Sequence, residues 1–384
     1  MRMDKLTSKF QLALADAQSL AVGLDHQLIE PEHVMVALLD QEGGSMRHLL
    51  TKAGARVNAL RSQLGERLDA MPKVSGAAGE VNLSNDTIKM LTITDKLAQN
   101  IAGTFAEGHE TVLLENHGIV TGGHDLLAAF ARLETVDFCA RTLLQAGRLG
   151  EVNPLTDAQL AAADIDPQLP DFPPCAPGSR ERELRRQIVD MVHRAYLRKL
   201  MTGTQGAVSA RLEAQDFLIT PAGTDRHLLD ISDIVLVQHG KRESGKQPSR
   251  ATRLHAAIYR QHPGVNYIMT AQSPNIMAYA VTSAPLNTRT LFESHYLLRD
   301  IPVLPFGEQY QQSGLVANAV SASTPVVLIQ NDCLVVTGQT ILQAFDRLEV
   351  AESIAEVLID TDSIGGFVTL TDAQIQEVDV AFSL

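Results

Sequence analysis

Apolar residues in the first part of the chain recur three and four positions apart, which is the spacing of short amphipathic helices. Pro31 lies at the start of one predicted helix, and Gly43-Gly44 ends it. Ser84-Asn85-Asp86 caps a further helix, which is predicted to end near Leu97. The pattern therefore predicts an all-α module over residues 1–97 with no catalytic cluster. Its buried stripes contain Leu6, Phe10, Leu14 and Ala17, then Val34, Leu38 and Leu39, and finally Val57, Leu60, Leu64 and Leu68.

The pattern changes near residue 98, where strands first enter it. A helix leads into the apolar strand Thr111–Leu114, which is followed by the turn Glu115–Gly118 and a second short strand. A long helix is then predicted from about Asp125 to Gln145. Five prolines between residues 167 and 177 indicate a stiff linker. Beyond a further helix, short apolar strands and helices alternate, which predicts an α/β or α+β domain.

Composition excludes several classes of partner. The 384 residues carry a net charge of −13, whereas nucleic acids and anionic membrane surfaces attract clustered Lys and Arg. No apolar run reaches the roughly 20 residues of a membrane span, and the amphipathic first helix is not a signal peptide. The three cysteines are far apart in sequence, so we expect free thiols in a cytoplasmic protein. They are Cys139, Cys175 and Cys333.

The chain matches itself when it is shifted by 215 positions, the distance from Asn116 to Asn331. The register holds without a gap from about residue 98 to 164, which indicates two copies of one fold. Upstream of its matched part, the second copy has residues 185–324, whereas the first copy has the unrelated helical module. We therefore expect the first copy, residues 98–165, to be the C-terminal fragment of a domain. Other matches are Gly123 with Gly338, Ala129-Phe130 with Ala344-Phe345, Arg132–Glu134 with Arg347–Glu349, and Leu155–Gln159 with Leu370–Gln374.

Residues 1 to about 99 resemble the N-terminal domain of ClpB-type disaggregases. The resemblance is carried by the opening Met1–Ala21, by Ile29–His33 and by Asp40–Ser45. It implies two similar four-helix repeats that bind unfolded polypeptide, with Thr7 at a substrate-contacting position. As sequence alone, Thr7 is equally a polar residue at a helix N-terminus. The second repeat stops after one helix, and no Walker A motif follows, so an ATPase is not expected.

Residues 98–165 and 184–384 resemble the class II aldolase/adducin family, in part and in full respectively. The second copy carries the resemblance in Gly206–Arg211, Leu218–Gly223, Pro248-Ser249, His255–Tyr259 and His262-Pro263. It implies an α/β/α domain with a central mixed, largely antiparallel sheet and flanking helices. The predicted fold is thus multidomain: helical module 1–97, fragment 98–165, Pro-rich linker 166–183 and aldolase-like domain 184–384. The family also implies sugar-phosphate chemistry and a homo-oligomer.

The chemistry that the family implies needs a divalent metal, usually zinc, on three histidines and a proton-moving Glu. In the second copy the three ligand positions read Thr270, Gln272 and Asp332, and the Glu position reads Ala251. We therefore expect no cofactor and no catalytic residue in this copy. In the first copy, His117 matches the third ligand, and we interpret it as an isolated vestige of a zinc or divalent-metal site.

The family's phosphate-binding loops are partly kept. Thr220, Gly223 and Ser249 match, whereas Arg250 replaces the family's second Ser. Arg250 could pair with a phosphate or carboxylate directly, or it could be a solvated surface residue. These four residues are the predicted site for a sugar-phosphate-like ligand.

Three functions remain open from the sequence. The first is a catalytically inactive aldolase-like binding or scaffold protein. Both a natural fusion and a chimeric sequence remain open as its origin, because both seams fall inside structural units. The second is an active sugar-phosphate aldolase whose site is completed by another chain. The third is a chaperone or adaptor that binds unfolded polypeptide through the ClpB-like module. Expected partners are further copies of the chain and a small ligand, not nucleic acid or a membrane.

Overall fold

The computed structural model describes residues 6–44, 46–52, 55–74, 81–163, 169–173, 175–311, 313–362 and 365–382. The chain divides into two compact units, Met1–Val112 (unit 1) and Leu113–Leu384 (unit 2). The described part of unit 1 is mainly helical, as predicted, but it also contains two short parallel-paired strands that the all-α prediction did not include. Its elements are α1 Ser8–Gly23, β1 Leu28–Ile29, α2 Pro31–Asp40, α3 Met46–Lys52, α4 Val57–Asp69, β2 Asn82–Leu83 and α5 Asn85–Ala106.

Caps fix the starts of the first helices in unit 1. Thr7 is the N-cap of α1, and its side chain accepts a 3.3 Å hydrogen bond from Phe10 N. At the start of α2, Pro31 occupies a first-turn position, and Glu30 N donates to His33 Nδ1 at 3.0 Å. Of the predicted α1 stripe, Leu14 and Ala17 are buried, and Leu6 and Phe10 are partly buried against them.

Helix α5 differs from the prediction, because it runs without interruption from Asn85 to Ala106. The predicted end at Leu97 and the predicted domain boundary at 97/98 both fall inside it. Lys96, Leu97, Ala98 and Gln99 are all strong helix formers, and no glycine or proline occurs before Gly103. The chain leaves the helix only near Gly108, which has φ +92°.

The first repeat copy forms a small sheet and two helices. The strands β3 Thr111–Leu114 and β4 Gly118–Thr121 pair only with each other, and the division between the units falls inside β3. Helix α6 Leu126–Leu149 is longer at its C-terminal end than the predicted helix, and α7 Asp157–Ala163 follows. The strands β3 and β4 of the first copy therefore form a separate two-stranded sheet.

A nine-stranded sheet forms the centre of unit 2. Its strand order is β11-β12-β13-β10-β6-β7-β8-β9-β5. All neighbours are antiparallel except the two end pairs, β11–β12 and β5–β9, so the predicted mixed, largely antiparallel sheet is confirmed. Its elements are β5 Asp171–Phe172, α8 Ser179–Leu197, β6 Ala207–Glu213, β7 Asp216–Ile219, β8 Val235–Gln238, β9 Lys241–Glu243, α9 Thr252–Gln261, β10 Tyr267–Ala271, α10 Pro274–Ala280, α11 Phe292–Leu298, β11 Val303–Leu304, α12 Glu308–Gln311, α13 Ser313–Ala319, β12 Val326–Ile329, β13 Cys333–Gly338, α14 Ile341–Asp362 and α15 Asp372–Phe382.

Helices cover both faces of this sheet. One core contains buried residues of α8, α10 and α14, and the other contains those of α9 and α13. In both cores, alternate strand residues point to opposite faces: Val208, Leu218 and Met269 to the first, Ile219, Val235 and Ile268 to the second. Among the described helices, none has the length and apolar character needed to cross a membrane.

Part of the predicted linker 166–183 is structured. Asp171–Phe172 forms the edge strand β5 beside β9, and Arg242 Nε donates to Asp171 Oδ1 at 2.7 Å. Ser179 already begins α8. The predicted stiff segment therefore also closes one edge of the sheet.

The internal repeat is reproduced in backbone detail. Asn116 and Asn331 have φ of 53° and 55° at equivalent turns. A Cβ on Gly123 would lie 2.5 Å from Ala129 N, and a Cβ on Gly338 would lie 2.7 Å from Ala344 N. Glycine is thus required where each second strand turns closely onto its following helix. Arg132 and Arg347 donate to the equivalent carbonyls of Gly122 and Thr337, and Thr156–Gln159 and Thr371–Gln374 form matching helix caps.

Candidate functional site

A cavity of about 210 Å³ lies in unit 2 where several loops meet the ends of the sheet strands. It brings together most of the residues predicted from the two site patterns, the phosphate loops and the metal positions. The loops before β6 and after β7 form one wall, the start of α9 another, and α12 with the β12–β13 turn the third. The lining residues are Thr204, Gln205, Gly206, Ala222, Gly223, Arg226, Ser249, Arg250, Ala251, Leu254, Thr270, Gln272, Gln309, Tyr310, Asp332 and Cys333.

Thr220 is the one predicted ligand-binding residue that does not line the cavity. Its side chain is fully buried, and its Oγ1 accepts from Val208 N at 3.2 Å. Its carbonyl accepts from Ser249 N at 3.1 Å. Thr220 therefore positions Ser249 and the first residues of β6 rather than contacting a ligand.

The three positions of the implied metal ligands do lie together, but their side chains do not fit zinc. Thr270 and Gln272 present neutral oxygens, which are poor zinc ligands. Asp332 is already engaged, because Tyr310 OH donates to its Oδ1 at 2.8 Å and Cys333 Sγ donates to its Oδ2 at 3.1 Å. Across the described parts of the chain, no three His, Cys, Asp or Glu side chains converge on a metal position.

Tyr310 and Cys333 are held in their protonated forms around this carboxylate. Burial, together with the neighbouring Asp332, raises the pKa of the Tyr310 hydroxyl. The same two causes raise the pKa of the Cys333 thiol well above its usual range. Both groups therefore remain hydrogen-bond donors at neutral pH, and the thiol is not a nucleophile.

No lining residue replaces the family's proton-moving Glu. Ala251 occupies that position, and its backbone N donates to Ser249 Oγ at 3.3 Å. The only carboxylate in the lining is that of Asp332. Because both of its oxygens already accept hydrogen bonds, it is badly placed to collect a substrate proton.

A buried guanidinium lies in the wall of the cavity. Arg226 is 1% exposed, and its nitrogens donate to backbone carbonyls of the two adjoining loops. Burial lowers its pKa to about 10, so it remains charged at neutral pH. The cavity therefore lies next to a fixed positive charge that is not paired with a carboxylate at hydrogen-bonding distance. The acceptors are the carbonyls of Thr204, Gln205, Gly206, Pro221 and Thr224.

Further polar groups complete the lining. Arg250 is exposed at the rim, where its charge lowers the pKa of Tyr310 and so opposes the effect of Asp332. Gln309 is 4% exposed, and among the described residues neither its Nε2 nor the buried Oε1 of Gln272 has a hydrogen-bond partner. An unpaired donor and an unpaired acceptor in one small cavity are costly unless a ligand or water bonds to them.

Sequence reasoning did not identify Arg226, Gln309 or Tyr310. Gln309 and Tyr310 belong to the short helix α12, which follows none of the family motifs quoted for this domain. Arg226 lies three residues after Gly223, and that closeness was the only signal in the sequence. Its role depends on two loops that meet only in the folded chain.

The histidine of the first copy lies apart from this cavity. His117 is exposed in the turn between β3 and β4, where its backbone N donates to Leu114 O at 3.1 Å. His109 and His124 are also exposed, and His124 Nε2 lies 3.4 Å from Asp125 Oδ2. The described residues thus offer His117 no ligand set.

Comparison with known families assigns the N-terminal and C-terminal parts of the chain to two different families. Residues 186–359 match the family described as Class II Aldolase and Adducin N-terminal domain. Residues 5–132 match the family described as Clp repeat (R) N-terminal domain, which extends into the repeated segment after residue 98.

ClpB chaperones are similar to the N-terminal part of the chain. Chaperone protein ClpB of Vibrio cholerae is 58% identical over 99 residues, which are 26% of this chain and 12% of that protein. The same chaperone from Pseudomonas putida is 50% identical over 114 residues, 30% of this chain and 13% of that protein. The chain thus spans about an eighth of the length of these relatives.

Several solved structures are similar to about half of the chain. YgbL from Escherichia coli, a putative aldolase/epimerase/decarboxylase, is 24% identical with a TM-score of 0.47, and covers 52% of this chain and 98% of its own. YgbL from Klebsiella pneumoniae is 26% identical with a TM-score of 0.46, covering 52% and 100%. L-fuculose 1-phosphate aldolase from Glaciozyma antarctica is 21% identical with a TM-score of 0.45, covering 53% and 84%.

Proposed function

Because this chain joins a class II aldolase-family domain to a Clp N-terminal region, we propose that its aldolase-like domain binds a small anionic ligand without converting it. The observation that carries this proposal is the lining of the cavity. Its three metal-ligand positions are Thr270, Gln272 and an Asp332 that is already hydrogen-bonded. Ala251 stands at the position of the proton carrier.

Charge and size support a small anion. Two cationic side chains, Arg226 and Arg250, line the cavity, against the single carboxylate of Asp332. A guanidinium at the rim can bind a carboxylate or phosphate through two parallel hydrogen bonds. A cavity of about 210 Å³ is smaller than the roughly 300 Å³ at which drug-sized sites begin. A sugar-phosphate-like ligand of a few carbons fits this description.

Calorimetry with glycolaldehyde phosphate as the probe tests this proposal. We expect binding to the wild-type chain and at least tenfold weaker binding to Arg250→Ala, because a charge-assisted pair contributes about 1.5–3 kcal/mol. Arg253→Ala is the matched control, since Arg253 is exposed on α9 but does not line the cavity. Equal binding by wild type and Arg250→Ala, or no binding at all, would refute the ligand assignment.

The absence of turnover needs a separate measurement. Metal analysis of the purified chain, together with an aldol-cleavage assay on phosphorylated ketoses, is expected to give neither stoichiometric zinc nor chelator-sensitive cleavage. An active aldolase completed by another chain is the alternative, with His117 as one of its ligands. Stoichiometric zinc that disappears in His117→Ala would establish that alternative and exclude ours.

A second candidate function concerns the N-terminal region. Its 58% identity to a ClpB chaperone over 99 residues favours binding of unfolded polypeptide. Thr7 is exposed at the N-terminus of α1, where it also caps the helix. Fluorescence anisotropy with labelled, reduced casein tests this in the full chain. Thr7→Asp keeps the capping oxygen and should weaken binding only if Thr7 contacts the polypeptide.

A further inference from the structure

Helix α6 has two long faces, and unit 2 covers only one of them. The covered face includes Thr142 and Ala146, which are 8% and 0% exposed, and it packs against α10. Glu134 on the same side accepts a 2.5 Å hydrogen bond from Tyr196 OH. This contact fixes the helix on the unit, so the orientation of its other face is also fixed.

The other face carries an exposed apolar stripe, which we call the α6 stripe. Its members follow each other at intervals of four, three, four, three and four residues, and every one is exposed. Its largest side chains, Leu126, Phe130, Leu133 and Leu144, are 84%, 45%, 37% and 74% exposed. The α6 stripe consists of Leu126, Phe130, Leu133, Asp137, Ala140 and Leu144.

The second copy shows what these positions look like when they are covered. On α14 the equivalents of Phe130, Leu133, Ala140 and Leu144 are all 0–1% exposed: they are Phe345, Leu348, Ala355 and Ile359. The equivalent of Asp137 is Glu352, whose carboxylate accepts from Asn275 N and Ile276 N at 3.0 and 2.9 Å. Leu126 corresponds to Ile341, which is partly buried, so the sequence of the α6 stripe is that of a mostly buried face, and its exposure leaves a large apolar patch in water.

We propose that two copies of this chain associate through their α6 stripes, packed antiparallel about a twofold axis near Thr135. In every copy, the sheet and helices that bury Phe345, Leu348, Ala355 and Ile359 are already covered by α14. A second copy therefore offers the same stripe rather than a vacant sheet. Alternating intervals of three and four residues are those that allow two helices to interlock along a shared seam.

The residue order suits the antiparallel arrangement. A twofold axis at Thr135 places Leu126 against Leu144 of the other copy, and Phe130 against Ala140, so a large side chain meets a small one. Leu127 and Leu143, each 52% exposed, flank the stripe on its two opposite sides. The same symmetry sets Leu133 against Asp137 of the other copy, whose carboxylate keeps its 2.8 Å ion pair with Arg141.

The buried area predicts a moderate affinity. These apolar side chains expose on the order of 600 Å² per copy, against roughly 800 Å² per partner in a standard stable interface. We therefore expect a dimer that dissociates in the micromolar range, driven by apolar burial rather than by charge pairs.

Sedimentation velocity over about 1–100 µM tests the association. A chain of 41.6 kDa should reach twice that mass at the upper concentrations. The double variant Leu126→Lys/Leu144→Lys should show half the mass of the wild type and at least 100-fold weaker association. Leu342→Lys is the matched control, because Leu342 is 54% exposed on α14 and lies outside the stripe. Circular dichroism confirms that the variants are folded.

Cross-linking then tests the orientation in a background carrying Cys139→Ser and Cys175→Ser. Mixed Phe130→Cys and Ala140→Cys chains should form the 130–140 disulfide in preference to either symmetric one. A monomer at every concentration, a mass unaffected by the double variant, or a dominant 130–130 disulfide would each overturn the proposal.

Discussion

Lowering the pH from 7 to 5 is expected to destabilise unit 2 through one buried imidazole, that of His255. This side chain is 0% exposed on α9, and its Nδ1 lies 2.8 Å from Ser209 Oγ. Burial lowers its pKa from 6.5 to about 3. The native chain therefore keeps His255 neutral at pH 5, whereas the unfolded chain protonates it.

The sign and magnitude follow from proton linkage. Because the folded pKa is depressed, the unfolded state binds more protons below pH 6.5, and the free energy of unfolding falls as the pH falls. The contribution is complete above pH 6.5 and is lost progressively between pH 6.5 and about 3. At pH 5 the loss is about 2 kcal/mol, from 1.36 kcal/mol for each pH unit below the unfolded pKa.

Tyrosine emission during urea unfolding isolates this unit, because all six tyrosines lie between residues 196 and 310 and the chain has no tryptophan. With a denaturant slope of about 2–3 kcal/mol/M, the urea midpoint should fall by roughly 1 M between pH 7 and 5. His255→Gln should remove about 2 kcal/mol of that dependence, although its overall stability is lower. His124→Gln, whose side chain is 85% exposed, should leave the dependence unchanged. An unchanged pH dependence in His255→Gln would refute the reasoning.

Three further predictions concern other parts of the chain. Gly338→Ala should lower the free energy of unfolding of unit 2, followed by tyrosine emission, by about 1–3 kcal/mol, because the new Cβ would lie 2.7 Å from Ala344 N. Gly264→Ala is the control: open space surrounds Gly264, so the loss should be less than about 1 kcal/mol. Burial and the neighbouring His26 lower the pKa of His33, so unit 1 should lose stability as the pH falls below 6.5. Hydrogen exchange of α2 peptides, corrected for intrinsic rates, should show more opening at pH 5 than at pH 7, and equal opening would contradict this. Arg226→Met should lower the unfolding free energy of unit 2 by about 3 kcal/mol or more and abolish anion binding, because several buried carbonyls lose their donors, whereas the exposed Arg253→Met should do neither.

Pattern reasoning succeeded where local chemistry decides the structure. The 215-residue repeat predicted equivalent turns, and Asn116 and Asn331 adopt the same left-handed conformation. The strand ends and turns named from sequence also converge on one cavity, because motif residues of this fold sit at the ends of neighbouring strands.

The failures arise where tertiary contacts decide. Nothing in the local sequence of α5 distinguishes a chain that changes fold near residue 98 from one continuous helix, since helix formers occupy both sides. Likewise, the sequence predicted a long helix from about Asp125 to Gln145 but not which of its faces α10 covers. Arg226 was not predicted from the sequence for the same reason, because its hydrogen-bond acceptors come from two separate loops.

Hydrogen bonds within the protein hold the walls of the cavity in unit 2. Arg226 ties the loop before β6 to the loop after β7 through five backbone carbonyls. The Thr220 carbonyl accepts a hydrogen bond from Ser249 N. The Asp332 carboxylate, in the β12–β13 turn, accepts one from Tyr310 of α12. None of these contacts requires an imidazole or an ion. Under the proposed function, anion binding therefore uses a recess that these hydrogen bonds preform beside the charge of Arg226, and the bound anion lowers the cost of the unpaired Gln309 donor.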